Sequence, residues 1–378
     1  MLVMKKINLL IINGTLHGGG AEHVIATLVK NLDKSRFNVT VCFIKQGGVI
    51  KEELEAEGYE VIGLSEKTLR KGGVHIPLEL KRIVKSRSID IVHSHDLSSF
   101  IHISLSKLLF NPAAYVHTYH FGNYPHRPKK YLAIEKLLWR IPQKLIAVGE
   151  QQRQTIITTF GIPGQRLEML WNGVDDKEYV KEEKCLKFAN EEDKIVVGSL
   201  STLIEQKGID ILLRAMALLK NTNNKFILLI VGEGPLRKKL EQLAKDLGVE
   251  HMVHFVGWVK DASSTVLPLF DIFVQSSLWE AMSVVILEAM AAKKPIVATR
   301  VGENGVVIVD GKTGLLVPAG DEKSLADAIM KLLCDPDLRN KLSNAARRRY
   351  ETEFTGRAMA RRYEALYESM LQQGKPSR

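Results

Sequence analysis

Short apolar, β-rich runs alternate with helical patterns along this chain, and the alternation occurs twice. That rhythm is the mark of βαβ units and a parallel sheet. In the first half the strand candidates are 7–12, 38–44, 60–64, 89–93, 114–118 and 144–148, with helical patterns at 22–32, 52–57 and 77–85. In the second half they are 194–200, 225–231, 252–256, 272–275, 295–298 and 314–317, with helical patterns at 208–220, 235–247, 264–269, 284–292 and 322–334. Two doubly wound α/β domains in tandem are expected, which suits 378 residues. Asn172-Gly173 and a charge cluster mark the division, giving domains at 1–172 and 191–355, a linker at 173–190 and a tail at 356–378. The Arg-rich stretch from Leu338 to Leu371 reads as more than one helix, and its end is expected to return to the first domain.

Composition narrows the class. With 45% hydrophobic and 25% charged residues the chain is globular, not disordered or fibrous. Cys42, Cys185 and Cys334 are far apart, which excludes a disulfide scaffold and argues against a cysteine zinc site. The apolar run Ile7–Ile12 is short and lacks a cleavage site behind it, so a buried first strand fits better than a signal peptide. No stretch has the roughly 18 apolar residues of a transmembrane helix, so a cytoplasmic protein, soluble or peripheral on the inner membrane face, is expected. Residues 1–170 hold 23 Lys+Arg against 14 Asp+Glu, nearly all of the chain's +10 excess. The asymmetry points to an acidic partner such as anionic lipid; a solubilising surface explains it equally well. Nucleic acid is not expected, because no recognition motif accompanies the charge.

Ligands of open parallel sheets bind beyond the carboxyl ends of the strands, and with two such domains a cleft between them is the default expectation. Three loops at such ends carry chemistry. His17-Gly18-Gly19-Gly20-Ala21-Glu22 joins a strand to a helix, where glycines and free N–H groups suit an anion, or serve geometry alone. Val231-Gly232-Glu233-Gly234-Pro235 is similar, with Pro235 suited to a first helical position. The segment from Ser276 to Glu288 places Glu280 in a loop and Glu288 two turns into a buried helix. Carboxylates are rarely buried without partners, so the pair are candidates for binding hydroxyl groups, with the N–H groups of Ala281 to Ser283 facing an anion. The alternative is that Glu280 caps the helix and Glu288 pairs with Lys293 or Lys294. His93 and His95 share a strand face, but lining fits them better than metal binding without a third ligand.

These residues together resemble retaining glycosyltransferase family 4, which has the GT-B fold of two facing Rossmann-like domains. Glu280 and Glu288 have its E-x7-E spacing. Gly19-Gly20-Ala21-Glu22-His23-Val24, Asp90-Ile91-Val92-His93-Ser94-His95, the strand ending Thr118-Tyr119-His120, Asn172-Gly173-Val174-Asp175, Lys207-Gly208, Phe255-Val256-Gly257 and Asp310-Gly311-Lys312-Thr313-Gly314 are similar to its landmarks, in order, over nearly the whole chain.

The resemblance implies an acceptor-side first domain and a second domain that binds a nucleotide-sugar donor. Glu288 would take the ribose hydroxyls. Glu280, with the backbone of Ala281, Met282 and Ser283, would hold the donor sugar. Lys207 would neutralise the departing diphosphate, and Thr202 would lie beside it. Gly257 and Val259 would hold the base, and Gly19 and Gly20 would line the phosphate side. His120 would lie near the anomeric carbon, with His95 and Asn123 on the acceptor side. No cofactor or metal is implied: fixed N–H groups and a lysine can stabilise the leaving charge, and Asp335-Pro336-Asp337 reads as a turn.

Departures accompany the match. Thr202 stands where the family has a diphosphate-binding arginine, losing a bidentate contact that Arg300 or Lys260 would have to replace. The family's E-G-x-P is Glu280-Ala281-Met282-Ser283 here, and Val306 replaces an expected acid. The stretch from Tyr124 to Arg140 mixes cations with Tyr131, Leu137, Leu138 and Trp139, as a membrane-lying segment or an ordinary half-buried helix would. The leading expectation is a retaining glycosyltransferase moving a hexose or N-acetylhexosamine, from a UDP-sugar by preference, to a glycan or lipid-linked glycan of the cell surface. An epimerase or hydrolase, or a non-catalytic sugar-nucleotide binder, are the alternatives.

Overall fold

The computed structural model describes residues 5–109, 111–124, 126–180, 194–222 and 225–373. The chain forms two compact units, Met1–Gly173 with Gly356–Arg378, and Val174–Thr355. Residues 181–190 of the expected linker, and Cys185, lie outside the described residues.

The first unit is a parallel seven-stranded sheet: β1 (Ile7–Thr15), β2 (Phe37–Gln46), β3 (Glu60–Gly63), β4 (Ile91–Ser94), β5 (Ala114–Tyr119), β6 (Lys144–Ala147) and β7 (Leu167–Met169), in the order β3-β2-β1-β4-β5-β6-β7. Buried on both faces, β1 needs a continuous apolar run, which Leu9 to Ile12 supply. The helices Glu66–Lys71, His75–Ser86, Leu97–Leu108 and Lys129–Leu138 pack into one core through Leu69, Leu80, Phe100 and Leu138. The final helix, Gly356–Gln373, packs on the helix Gly20–Asn31. It is held by Arg36 bonding Glu364 and Glu368, and by Tyr367 Oη bonding buried His93 Nδ1 at 2.7 Å.

The second unit is a parallel six-stranded sheet: β8 (Ile195–Leu200), β9 (Phe226–Val231), β10 (Val253–Gly257), β11 (Ile272–Gln275), β12 (Ile296–Thr299) and β13 (Leu315–Val317), in the order β10-β9-β8-β11-β12-β13. The helix Ile209–Leu219 carries an apolar face (Leu212, Leu213, Met216) into a core shared with Ile230, Val274 and Leu325.

Both units match the doubly wound expectation, with local differences. The structure adds β7 and the helices Glu66–Lys71, Leu97–Leu108 and Glu150–Phe160. The expected helix 264–269 is two pieces, Ala262–Thr265 and a 3-10 turn at Leu267–Leu269, because Pro268 brings no N–H and disfavours α geometry before it. Pro235 does not open its helix. Leu236 N–H bonds Leu203 O at 3.1 Å, and the helix runs Arg237–Asp246. The Arg-rich tail is the helix Pro336–Arg349, a π turn at Tyr350–Phe354, and then Gly356–Gln373.

Candidate active site: two switch points

In each sheet the strand order reverses once, and the loops leaving the two strands at that point diverge to leave a crevice. In the second unit these strands are β8 and β11. The loop after β8 delivers Gln206 and Lys207; the loop after β11 delivers Ser277 and Glu280. Lys207 Nζ lies 2.5 Å from Glu280 Oε1, which also accepts from Ser277 Oγ at 2.8 Å. Gln206 Nε2 reaches Glu280 Oε2 at 3.3 Å and Trp279 O at 3.0 Å. Glu280 is 9% exposed, so its charge is held by a cation and two neutral donors.

Two glycines make this close approach workable. Gly208 has φ +55°, and a Cβ there would stand 2.3 Å from Ser276 O. Gly302, after β12, has φ +49°, and a Cβ would stand 2.3 Å from Glu280 O and 2.7 Å from Ala281 O. Each lets one loop rest its backbone on the loop that carries Glu280.

Ala281, Met282 and Ser283 are buried and lead into the helix Val284–Ala291. Ser283 does not cap that helix, because its Oγ accepts from Gln275 Nε2 at 2.6 Å. Asn304 Nδ2 donates to Gln275 Oε1 at 2.8 Å, fixing the amide. Glu288 lies in the helix and meets Lys177 Nζ at 3.3 Å; that ammonium also bonds Ser263 Oγ at 2.5 Å. The alternative sequence reading is therefore corrected: Glu280 bonds Lys207 instead of capping, and Glu288 pairs with Lys177, while Lys294 bonds Pro268 O at 2.8 Å. Gly257 ends β10 with φ +89°, followed by Trp258, 64% exposed, and half-buried Val259. Thr202 is exposed on the loop after β8. Arg300, a candidate for the missing cation, pairs through Nη2 with Asp310 Oδ2 at 2.9 Å, with both side chains about half exposed.

In the first unit the order reverses between β1 and β4. Beyond these strands and β5 lies a cavity of about 270 Å³ whose lining includes Asn13, Glu22, His95, Asp96, His120 and Arg127. Gly19 precedes the helix Gly20–Asn31, whose start has no side-chain cap. Glu22 Oε1 accepts from Thr15 Oγ1 at 3.0 Å, and Asp96 caps the helix Leu97–Leu108 through Ser99 N–H at 2.8 Å. His120 Nε2 and His95 Nδ1 share one proton across 3.0 Å, with the rings stacked. Burial holds His120 down at about 4, and His95, His93 and His117 well below the usual range, so all four are neutral at pH 7. Both ring nitrogens of His93 are engaged, by Tyr367 Oη and Thr118 Oγ1, each at 2.7 Å. Asn123 is half-buried in the loop beyond His120 and does not line the cavity.

The structure thus gathers Lys207 and Glu280 in one unit and His95 and His120 in the other. The roles of Lys177, Gln206 and Ser277 were not read from sequence, and neither was the cluster of buried Tyr124 and Glu135 with half-buried Arg127. Arg127 Nη1 bonds Glu135 Oε1 at 2.7 Å, and Tyr124 Oη donates to the same oxygen at 2.8 Å. Asp335 caps the helix Pro336–Arg349 through Leu338 N–H at 2.8 Å, so Asp335-Pro336-Asp337 is a helix start.

The family model described as Glycosyltransferase Family 4 matches residues 18–178, and that described as Glycosyl transferases group 1 matches 180–349. The chain belongs to the family 4 type of glycosyltransferase, with a GT-B fold. It is an enzyme of glycoconjugate biosynthesis. It is similar to the lipopolysaccharide core biosynthesis glycosyltransferase LpsE of Rhizobium meliloti, 26% identical over 93% of this chain and 96% of that one. It is also similar to the N-acetyl-alpha-D-glucosaminyl L-malate synthase of Bacillus anthracis, 30% identical over 56% of each. In fold it is similar to Anabaena Alr3699/HepE, solved in complex with UDP and glucose, with a TM-score of 0.84, 21% identity and coverage of 96% of this chain and 100% of that one.

Proposed function

We propose that this glycosyltransferase is retaining and metal-independent, and moves a hexosyl or N-acetylhexosaminyl group from a UDP-sugar to a glycan or lipid-linked glycan. The observation that carries the reading is the cluster of Lys207, Gln206, Ser277 and Glu280 at the second switch point. Lys207 meets the charge that grows as the nucleoside diphosphate departs, and the start of the helix Val284–Ala291 adds its dipole. Glu280 accepts from donor-sugar hydroxyls and Glu288 from the ribose. UDP is favoured because HepE was solved with it. Retention follows front-face attack by the acceptor, and no side chain is assigned as a covalent nucleophile.

The acceptor end is read as peripheral on an anionic membrane. No described helix is long and apolar enough to cross one. The four helices of the shared core expose Lys67, Arg70, Lys71, Arg82, Lys85, Lys129 and Lys130. Val74, Leu108 and Leu137 are 65%, 61% and 74% exposed among them. In the stretch from Tyr124 to Arg140, Leu138 and Trp139 are buried, while Lys129, Lys130, Lys136 and Arg140 are exposed beside Leu137.

A calorimetric screen of UDP, GDP, ADP and CMP against wild type, Glu288→Ala and Lys207→Ala tests the donor site. One nucleotide is expected to bind and to weaken at least tenfold in both variants. Binding of none would overturn the reading. Stereochemistry is read from the anomeric coupling of the product by NMR. Membrane contact is read from partition onto anionic against neutral vesicles, where equal partition refutes it.

A further inference from the structure

The segment from Val174 to Val180 carries a cation to which the proposed reaction gives no role. This stretch of the second unit is anchored at several points. Val174 N–H donates to Phe354 O at 3.0 Å, and Val174 O accepts from Tyr350 Oη at 3.0 Å. Arg347 bonds both oxygens of Asp176, at 2.9 and 2.5 Å. Val180 N–H donates to Ser264 O at 3.1 Å. The backbone on either side of Lys177 is therefore fixed.

The Lys177 side chain joins two elements. Its ammonium donates to Ser263 Oγ at 2.5 Å and to Glu288 Oε1 at 3.3 Å. Ser263 belongs to the helix Ala262–Thr265, which follows the loop of Gly257, Trp258 and Val259. Glu288 belongs to the helix Val284–Ala291. One ammonium thus ties the end of the loop read as base-binding to the carboxylate read as ribose-binding. Among the described residues the Glu288 carboxylate accepts no other hydrogen bond, and its side chain is only 14% exposed. The terminal torsion of a glutamate is broad, so a carboxylate without a partner has no fixed orientation. Lys177 occupies one oxygen and leaves the other for hydroxyl donors. An acceptor fixed in advance spares the ordering cost of binding and rejects a ligand that lacks the matching donor.

We propose that Lys177 is a positioning residue: it holds Glu288 in the orientation that accepts ribose hydroxyls, and so sets the preference for ribose over deoxyribose nucleotides. The inference rests on the assignment of Glu288 to the ribose above and deepens it.

The test is calorimetry on the full chain with UDP, GDP and ADP, each beside its 2′,3′-dideoxy form. Wild type should bind one ribonucleotide at least tenfold more tightly than its dideoxy form. Lys177→Met should weaken that ribonucleotide at least fivefold and move the dideoxy form less than twofold. The dideoxy form is also the control for folding, since a misfolded variant would lose both. Glu288→Ala should abolish the preference. Equal weakening of both forms by Lys177→Met would make the ammonium a direct contact of the diphosphate and would overturn the proposal. If Glu288→Ala abolishes the preference and Lys177→Met keeps it, the donor reading stands and this inference falls. A wild type without the preference, or a Glu288→Ala variant that keeps it, removes the ribose assignment and the inference with it. Binding of no nucleotide removes the donor reading itself.

Discussion

Replacing Lys207 with methionine removes the ammonium 2.5 Å from Glu280 while keeping most of the stem. The carboxylate then keeps only Ser277 Oγ at 2.8 Å and Gln206 Nε2 at 3.3 Å. Breaking a buried pair on one side costs about 3–5 kcal/mol. The Lys207 side chain is 21% exposed and two neutral donors remain, so about 2–3 kcal/mol is expected here. For a unit of this size that is a melting shift of roughly 4–12 °C. Adding Glu280→Gln removes the stranded charge and keeps the side-chain shape. Lys207→Met/Glu280→Gln should therefore melt within about 1 kcal/mol of wild type, a coupling of roughly 2 kcal/mol. Scanning calorimetry is the assay, since it can separate the transitions of two units. Activity should not follow stability. The rescued double variant should stay at least about a hundredfold down in kcat/KM, because leaving-group stabilisation and the sugar contact are both gone. If the two single losses simply add, the pair is not a coupled buried contact, and the account of how Glu280 is held fails.

Other consequences follow from separate contacts. His120 is held near 4 against an ordinary 6.5, so the unfolded chain takes up its proton first as pH falls. Stability is intact above pH 6.5 and declines towards pH 4 by about 3 kcal/mol for this group, with His93, His95 and His117 acting in the same direction. Urea midpoints between pH 8 and 4.5 should show the decline, and His120→Gln should flatten it. Gly208→Ala brings a Cβ to 2.3 Å from Ser276 O at φ +55°, and should cost at least about 1–3 kcal/mol with a loss of donor binding, read by calorimetry. Tyr367→Phe leaves His93 Nδ1 buried without its 2.7 Å partner, and should cost about 1–3 kcal/mol and speed hydrogen exchange in the helix Gly356–Gln373.

Legibility in the sequence tracked the range of the interaction. All six second-unit strands were legible, because a strand buried on both faces must be an apolar run. β7, three residues long, was not, since Leu167–Met169 has too few positions to show a period. The helix Leu97–Leu108 was missed because Ser99, Ser104 and Ser106 occupy buried positions that usually carry apolar residues; its signal was the Asp96-to-Ser99 capping box. Glu280, Glu288 and Lys207 were found from the buried segment and the family pattern, but the pairing of Lys207 with Glu280 and of Lys177 with Glu288 was not. Lys207 is 73 residues from Glu280, and Lys177 is 111 from Glu288, and no local pattern encodes such pairs. Arg300, read as a replacement for the arginine missing at Thr202, pairs with Asp310, ten residues on, a contact that sequence reading did not show.

The two switch points share a topology and differ in electrostatics. At the second, both carboxylates carry a lysine, Lys207 on Glu280 and Lys177 on Glu288, so cations are already in place where a diphosphate would bring charge. At the first, the histidines are kept neutral by burial and Arg127 is bound to Glu135, while three carboxylates line the cavity. Two lysines balance two glutamates at the second switch point, whereas three carboxylates stand against one guanidinium at the first, so the second is the less negative of the two. On the proposed reading, a departing nucleoside diphosphate meets the ammonium of Lys207 at the second switch point, and Lys207→Met tests that assignment through kcat/KM.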